Sequence, residues 1–222
     1  MVKDKDNSKS FYVVVLKRFV DILIGIAAFP FLLILSVFVG IAIKIDDGGP
    51  VFYKAQRIGK DSKIFSMYKF RSMKVNAPNY TNADGSTYNA PDDDRVTRVG
   101  KFIRKTSIDE IPQFFNVLIG NMSFIGPRAS GAGALDNYLD DEKDKMKVLP
   151  GITGYTQAYY RNGLSVREKR LKDAWYANNV TMLLDIKILF KSFSTVFKRE
   201  NIYTNEAGTK KEDLWIDTGE KK

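Results

Sequence analysis

The chain of 222 residues contains no cysteine and no histidine. It therefore has no disulfide, no thiol nucleophile, no histidine-based catalytic triad and no zinc site of the usual cysteine and histidine type. An enzyme built from this sequence must take its acid, base or nucleophile from Asp, Glu, Lys, Tyr, Ser or Thr. Any bound metal is expected to be a hard cation held by carboxylate oxygens.

Positive charge is in excess, with 35 Lys and Arg against 26 Asp and Glu and a formal net charge of +9. The hydrophobic content of 44% and charged content of 27% fit an ordered globular protein. The length suits one domain with an appended element. We expect the excess of basic residues to bind an anionic membrane surface. We expect no nucleic-acid partner, because no nucleic-acid recognition motif occurs.

One long apolar run lies near the N-terminus. The segment 22–43, ILIGIAAFPFLLILSVFVGIAI, has 22 residues and no charged side chain. At about 1.5 Å per residue, a straight helix of this length just crosses a hydrocarbon core of ~30 Å. The run is longer than the ~7–15 residues of a signal-peptide core, and it is not followed by small cleavage-site residues. We predict a membrane helix that stays on the protein.

The charges beside this run do not orient it. Lys17 and Arg18 precede it, and five further basic residues follow between Lys44 and Lys63. Because both flanks are basic, the preference of Lys and Arg for the cytoplasmic side gives no single orientation. Pro30 removes a backbone hydrogen bond at a cost of roughly 3 kcal/mol in a straight helix. These residues therefore leave two alternatives: a spanning helix with a kink, and a re-entrant helix.

The remaining chain is predicted to fold as a cytosolic domain of class α+β, mostly helical. Strands are predicted at Val51–Tyr53 and Ile64–Tyr68, and the polar segment 76–94 is either disordered or a lid. Helices are predicted from near Asp109 and over Asp140–Met146. The boundaries we expect are a polar segment 1–10, a membrane helix 11–45, a catalytic domain 46–203 and a flexible tail 204–222.

A second apolar pattern lies near the C-terminus. Lys187 and Lys191 lie among apolar residues that recur there at helical spacing. These apolar residues are Ile186, Leu189, Phe190, Phe193, Val196 and Phe197. This pattern fits an amphipathic helix lying on anionic lipid. Packing of the same face against the domain core is the alternative.

Three polar groupings carry candidate chemistry: KFRSM at 69–73, RKTSIDE at 104–110 and GPR at 126–128. Cations around carboxylates suit phosphoryl transfer, in which guanidinium groups and Mg²⁺ neutralise phosphate oxygens. Adjacent helical side chains point about 100° apart, so Asp109 and Glu110 are expected to have separate roles. One would attack phosphorus and the other would hold Mg²⁺. The alternative is that both only complement a helix dipole.

A third acidic feature is the run Asp92–Asp94. It invites comparison with the Asp-x-Asp metal site of many sugar-nucleotide glycosyltransferases. However, the run lies in a polar loop and does not follow a hydrophobic strand. A solvated charge run explains it more simply.

The motifs occur in an order that resembles the bacterial sugar transferases, and more narrowly the small monotopic polyprenyl-phosphate phosphoglycosyl transferases. The resemblance covers residues 11 to about 203. It rests on Lys17-Arg18 with Asp21, Pro30 within the apolar run, KFRSM, RKTSIDE, FNVLIGNMSFIGPR at 115–128, and PGITGYTQ at 150–157. Two departures are Phe29-Pro30 where the family often has Ser-Pro, and Pro127-Arg128-Ala129 where it has Pro-Arg-Pro.

The resemblance implies transfer of a phosphosugar from a UDP-sugar to polyprenyl (undecaprenyl) phosphate, with release of UMP. It implies that Asp109 is the nucleophile, that Glu110 binds Mg²⁺, and that Lys69 belongs to the catalytic group. The resemblance also implies a set of phosphate-binding residues: Arg71, Arg104, Arg128 and Arg161, with Pro127 beside Arg128 in the GPR motif. The membrane helix would be re-entrant, with its break at Phe29 and Pro30.

The same resemblance implies a setting and partners. The protein would lie on the cytosolic face of the bacterial inner membrane, in contact with its lipids, and start the assembly of a glycan, capsule or exopolysaccharide. It would work beside downstream glycosyltransferases or as a homo-oligomer. Two other functions remain open: a membrane-anchored scaffold of polysaccharide assembly, and a metal-dependent glycosyltransferase that uses Asp92–Asp94.

Overall fold

A computed structural model describes residues 9–82, 87–160, 163–198 and 215–217. Most of the ordered backbone is helical. The α-helices are α1 (Lys17–Asp47), α2 (Arg98–Lys105), α3 (Gln113–Leu118), α4 (Tyr155–Tyr159), α5 (Val166–Asn178) and α6 (Met182–Lys198). Short helical turns of π or 3₁₀ type lie at Tyr12–Leu16, Lys60–Ser62, Ile108–Glu110, Ala132–Asn137 and Asp140–Lys147.

The strands form three two-stranded sheets. They are β1 (Phe52–Ile58), β2 (Ile64–Phe70), β3 (Asn79–Thr81), β4 (Ser123–Ile125), β5 (Gly151–Thr153) and β6 (Trp215–Asp217). Strands β1 and β2 are an antiparallel hairpin, β3 pairs antiparallel with β6, and β4 pairs in parallel with β5. The predicted α+β fold, mostly helical, is therefore confirmed at this level. Strand β6 lies inside the segment that was predicted to be a flexible tail.

Helix α1 contains the apolar run, and its two ends pack against the same domain. It is long and apolar enough to cross a membrane by length and composition, and Pro30 lies inside it. Near its start, Arg18 donates to the carbonyls of Val117 and Leu118, and Phe124 N donates to Asp21. The Arg18 guanidinium thus satisfies carbonyls at the C-terminal end of α3.

The C-terminal end of α1 is fixed by two carboxylates. Asp46 accepts a hydrogen bond from Val99 N at 2.8 Å, and Asp47 forms an ion pair with Arg71. Gly48 ends the helix in the left-handed conformation, with φ of 71°. Between the two anchored ends the helix is largely exposed and apolar, from Ile26 to Phe38.

The hairpin β1–β2 is fastened to helix α3 by one buried amide. Asn116 is fully buried, its Oδ1 accepts from Tyr68 N at 2.9 Å, and its Nδ2 donates to Ser66 O at 2.8 Å. Two exposed backbone groups on the edge of β2 are satisfied in this way. The contact brings the end of β2, which carries Lys69, next to the chain that precedes α3.

Strands β4 and β5 approach so closely that only glycine fits between them. A Cβ atom on Gly126 would lie 2.4 Å from the carbonyl oxygen of Leu149, and one on Gly154 would lie 2.0 Å from the carbonyl oxygen of Gly126. This is the structural reason for glycine in the two motifs that contain these strands. The backbone pairing sets the position of Arg128, directly after β4.

Helix α6 has one apolar side packed on the domain core and a second apolar side that is exposed. Ile188 is fully buried in a core cluster with Tyr176 and Val180, while Leu183, Phe190 and Phe193 are exposed. The helix is joined to the start of the chain because Asp185 accepts hydrogen bonds from Tyr12 and Tyr176 and forms an ion pair with Lys17. One apolar side therefore packs on the core, and another faces away from the protein.

Candidate functional site

The Asp109-Glu110 pair lies in a 3₁₀ turn, Ile108–Glu110, and not in the first turn of an α-helix as predicted. Ser107 has φ of 58° and its side chain makes no cap hydrogen bond. Helix α3 begins only after Pro112, since proline is tolerated at a helix start but not within it. The tight turn directs both carboxylates toward the hairpin.

Lys69 lies between the two carboxylates. Its Nζ atom is 2.7 Å from Glu110 Oε1 and 3.9 Å from Asp109 Oδ2. All three side chains are largely buried, with 14–23% of each side chain exposed. Lys69 thus forms a hydrogen-bonded ion pair with Glu110 and a longer electrostatic contact with Asp109.

The pair is electrostatically asymmetric. Burial, together with the neighbouring Glu110, raises the pKa of Asp109 to about 6, although Lys69, Arg104 and Arg128 oppose the change. Burial also disfavours the charged form of Glu110, but Lys69, Arg128 and Arg57 together lower its pKa below the ordinary value. Two adjacent carboxyl groups in different environments are suited to two different chemical roles.

Beside the carboxylates is a cleft lined by Arg57, Lys69, Thr87, Glu110 and Arg128. Arg128 Nη2 lies 4.0 Å from Glu110 Oε1, and 59% of the Arg128 side chain is exposed. The cleft thus carries three cations against one lining carboxylate, with Asp109 alongside. Such a surface attracts a di-anionic group such as a diphosphate.

The backbone of Arg128 is held although its side chain is free to reach a ligand. Lys145 Nζ donates to the Arg128 carbonyl at 2.9 Å, and the Arg128 amide donates to Asp173 at 3.3 Å. Lys145 and Asp173 are themselves a buried ion pair, and Asp173 also accepts from Thr156. Burial raises the pKa of Asp173, while Lys145 opposes that shift. The buried pair supplies the support that a second proline after Arg128 would give.

Arg104 is held by the segment that was predicted to be disordered or a lid. Its Nη2 donates to Asn89 Oδ1 at 2.6 Å. The same segment contributes Thr87 to the lining of the cleft. Arg95 lies against the rings of Tyr80 and Tyr88 and so holds the segment together internally. The described part of residues 76–94 is therefore an ordered border of the site.

The structure corrects the prediction that Arg71 binds phosphate. Arg71 is buried, and its guanidinium group is paired with Asp47 at both Nη atoms. Its Nε donates to Pro50 O at 2.6 Å, and its Nη1 also donates to Met73 O. Strand β2 ends at Phe70, so the chain turns away before Arg71. Arg71 fastens the end of α1 and does not reach the cleft.

Three other residues of the predicted site do not line the cleft as far as the structure describes it. Pro127 is fully buried, and its carbonyl accepts from Gly151 N at 2.9 Å, so it supports Arg128 without a surface for a ligand. Phe29 is exposed beside Pro30 on the apolar middle of α1, far along the chain from the cleft. Arg161 lies outside the residues that the structure describes.

The Asp92–Asp94 run does not form an open acidic site. Asp93 is buried and forms an ion pair with Arg95, with Nη2 to Oδ2 at 2.6 Å. Its role is to hold the guanidinium that packs on Tyr80 and Tyr88. This arrangement gives no support to the alternative of a metal-dependent glycosyltransferase.

Several supporting residues were missed by the sequence analysis. They are the residues that hold the site, not the charged motif residues: Arg57, Thr87, Asn89, Asn116, Lys145 and Asp173. Asn89, Asn116, Lys145 and Asp173 each act through a partner far away in sequence, so no local pattern marks them. The predicted strand Val51–Tyr53 ends before Arg57, whereas the observed strand β1 continues to Ile58 and so includes it.

The donor set suits a magnesium ion that is shared with substrate. Within the described ranges, no group of three or more Asp, Glu, His or Cys side chains converges on one point. Mg²⁺ is commonly held by one or two carboxylates together with substrate phosphates and waters, so it does not require such a cage. Glu110, with one oxygen on Lys69 and one oxygen remaining, fits this arrangement.

The fold and site define a domain with one long apolar helix and a carboxylate pair among cations. The family model described as bacterial sugar transferase matches residues 12–199. The chain therefore belongs to the bacterial sugar transferase family.

Relatives of known name share this domain. The undecaprenyl-phosphate galactose phosphotransferase of Salmonella typhimurium is 40% identical over 168 residues, which cover 71% of this chain and 35% of that protein. The UDP-N-acetylgalactosamine-undecaprenyl-phosphate N-acetylgalactosaminephosphotransferase of Aeromonas hydrophila is 38% identical over 187 residues, covering 82% of this chain and 43% of that protein. The sugar transferase EpsL of Bacillus subtilis, uncharacterized, is 36% identical, covering 85% of this chain and 90% of that protein.

The relatives differ in length. The chain spans only 35% and 43% of the two named phosphotransferases, but 90% of EpsL.

Proposed function

We propose that the protein transfers a phosphosugar from a UDP-sugar to undecaprenyl phosphate, as a step in the assembly of an exopolysaccharide, capsule or other glycan. The observation that carries this proposal is the Asp109-Glu110 pair facing Lys69 in a cationic cleft of a domain that packs against a long apolar helix. Two relatives are named as sugar phosphotransferases of undecaprenyl phosphate, and this supports the proposed acceptor.

In the first half-reaction, an oxygen of the Asp109 carboxylate attacks the phosphorus that carries the sugar. A P–O bond to Asp109 forms, the P–O bond to the bridging oxygen of the diphosphate breaks, and UMP leaves with that electron pair. Lys69, Arg104 and Arg128 are placed to neutralise charge around the phosphorus, since each acts on Asp109. Positioning and charge stabilisation are the main sources of rate in phosphoryl transfer.

In the second half-reaction, a phosphate oxygen of undecaprenyl phosphate attacks the same phosphorus. The bond to Asp109 breaks, the carboxylate is regenerated, and undecaprenyl-diphosphate-sugar forms. A covalent intermediate lets a water-soluble donor and a lipid acceptor use one site in turn, with ping-pong kinetics. One anhydride bond replaces another, so no ATP is required.

Glu110 would hold Mg²⁺ with the donor diphosphate, and the ion would supply additional positive charge at the phosphate oxygens. Lys69 orients Glu110 through the 2.7 Å contact. The lower pKa of Glu110 keeps its carboxylate ionised at neutral pH. Glu110 is thus suited to bind a cation, while Asp109 has no short ion pair among the described residues.

Helix α1 is proposed to be re-entrant, with both ends on the cytosolic side of the inner membrane. Arg18 and Asp21 at one end, and Asp46 and Asp47 at the other, bind elements of one domain. A spanning helix would place its ends on opposite sides of the bilayer, so it could not keep both sets of contacts. The exposed apolar middle would lie within one leaflet.

Helix α6 is proposed to lie on the membrane surface. Leu183, Phe190 and Phe193 are exposed, and Lys187 and Lys191 are exposed on the same helix. Apolar side chains can enter the boundary of the acyl chains while lysines contact anionic headgroups. This placement would keep the cleft at the depth of the acceptor phosphate.

The test is the identity of the released nucleotide. The full chain in nanodiscs with undecaprenyl phosphate is supplied with a panel of UDP-sugars, and UMP and UDP are measured. Release of UMP with formation of a lipid diphosphate-sugar supports the proposal. Release of UDP would indicate a glycosyltransferase, and no turnover with any donor would favour a scaffold.

A further inference from the structure

One buried guanidinium nitrogen in the cleft has no hydrogen-bond partner among the residues that the structure describes. Arg57 Nε is buried and has no hydrogen-bond partner, and the structure records no ion pair for Arg57 across its described residues. Arg57 lies near the end of β1, and the hairpin pairs it with Phe65. Since side chains alternate along a strand, Arg57 lies on the same face as Met67 and Lys69.

The surroundings of Arg57 are unfavourable for an unpaired charge. Burial and the nearby Arg128 guanidinium lower the pKa of Arg57, and Glu110 and Tyr53 only partly oppose that change. Buried charges in proteins are normally paired and hydrogen-bonded. Because the neighbouring cation is Arg128 and Glu110 is already bonded to Lys69, the missing partner is an anion from outside the chain.

The cations of the site are divided between the two carboxylates. Lys69 and Arg128 act strongly on both, Arg104 is among the strongest influences on Asp109, and Arg57 is among those on Glu110. Arg57 therefore belongs to the Glu110 side of the site. In an in-line displacement the leaving oxygen departs opposite the attacking one, so the nucleotide half of the donor lies away from Asp109.

We propose that Arg57 binds the nucleotide-side phosphate of the UDP-sugar and stabilises UMP as it leaves. This inference rests on the proposed function, because it assigns a role within the first half-reaction. A guanidinium fork suits this task because it can contact two oxygens of one phosphate at once. The second half-reaction, in which UMP has already left, does not use Arg57.

The experiment compares Arg57→Gln and Arg57→Lys with a matched control, Lys54→Gln. Lys54 is an exposed cation on the same strand, three residues earlier and on the opposite face. For each full-length variant in nanodiscs, kcat/KM is measured for the UDP-sugar and for undecaprenyl phosphate. The inhibition constant of UMP is measured against the donor.

Arg57→Gln is expected to lower kcat/KM for the donor and to raise the UMP inhibition constant, each by about 10- to 100-fold. The kcat/KM for undecaprenyl phosphate should change by less than about threefold, as should all constants of the control. Arg57→Lys keeps the positive charge but loses the guanidinium fork, so its constants should lie between those of the unmodified protein and of Arg57→Gln. Thermal unfolding reports whether each variant is folded, and Arg57→Lys carries the test if Arg57→Gln is not.

An unchanged UMP inhibition constant, or a loss confined to undecaprenyl phosphate, would overturn the assignment of Arg57. The second result would place the acceptor phosphate at this guanidinium. These outcomes differ from failure of the proposed function, since in that case the unmodified protein would release no UMP from any UDP-sugar.

Discussion

Lys69 Nζ lies 2.7 Å from Glu110 Oε1 and 3.9 Å from Asp109 Oδ2, so one lysine distinguishes two adjacent carboxylates. Glu110 is the ion-pair partner, and Asp109 is left available to a reacting phosphorus. In the proposed mechanism, these two neighbouring carboxylates have different functions.

Asp109→Asn is expected to abolish turnover, by at least about 10⁴-fold, because the amide cannot form the acylphosphate. Glu110→Gln should also turn over slowly but still form an adduct on Asp109, since the nucleophile remains. Both are checked with radiolabelled donor, by counting label on the protein before acceptor is added. Turnover of the unmodified protein without label on the Asp109 peptide would contradict the covalent mechanism, and unchanged turnover in Asp109→Asn would favour a structural role.

Asn89→Ala should lower the catalytic efficiency with the donor. The substitution removes the Oδ1 atom that accepts a hydrogen bond from Arg104 Nη2 at 2.6 Å, so Arg104 is no longer held. We expect kcat/KM for the UDP-sugar to fall by about 5- to 20-fold, the range for loss of one hydrogen bond to a charged group. Asn179→Ala is a control, since that amide donates only to the carbonyl of Trp175 on its own helix. If both variants behaved alike, Arg104 would not depend on the bordering segment.

Asp173→Asn should lower both stability and activity. It breaks a buried ion pair with Lys145, at a distance of 3.3 Å, and such losses cost on the order of 3–5 kcal/mol. Arg128 should then be less well positioned, because Lys145 and Asp173 both bind its backbone. Urea unfolding and donor kinetics test the two effects separately. In Asp140→Asn, where the exposed Asp140 pairs only with Lys143 nearby, both measurements should remain unchanged.

The re-entrant helix predicts that positions 9 and 63 lie on the same side of the membrane. The chain has no cysteine, so Lys9→Cys and Lys63→Cys each provide one labelling site without background. Both positions are exposed. A membrane-impermeant maleimide applied to spheroplasts and to inverted vesicles should label both only in the inverted vesicles. Phe31→Cys should be protected in either preparation, and labelling of positions 9 and 63 from opposite sides would contradict the proposal.

The KFRSM motif shows where sequence reasoning succeeds and where it fails. The strand predicted at Ile64–Tyr68 forms and extends to Phe70, so it carries Lys69, which contacts both carboxylates. The prediction fails for Arg71, because strand β2 ends at Phe70 and the chain then turns toward Asp47. The cation that lines the cleft instead is Arg57, which is brought there by the register of the hairpin. Register depends on pairing between strands and cannot be obtained from either strand alone.

The helix expected from Asp109 is a second instructive case. A helix does follow the pair, but Pro112 delays α3 to Gln113 and leaves the carboxylates in a separate 3₁₀ turn. Both carboxylates nevertheless contact one lysine, because Lys69 near the end of β2 lies beside this turn.

By itself, the sequence determined the apolar helix, the Asp109-Glu110 pair, the exclusion of histidine and cysteine chemistry, and the glycine-containing segments around β4 and β5. These features depend on composition and on near neighbours in the chain. Only the tertiary structure decided which cations meet the carboxylates, that Lys145 and Asp173 hold Arg128, and that both ends of α1 bind one domain. Electrostatic contacts act over a few ångströms in space, and packing of the core sets those distances between residues that are far apart in sequence.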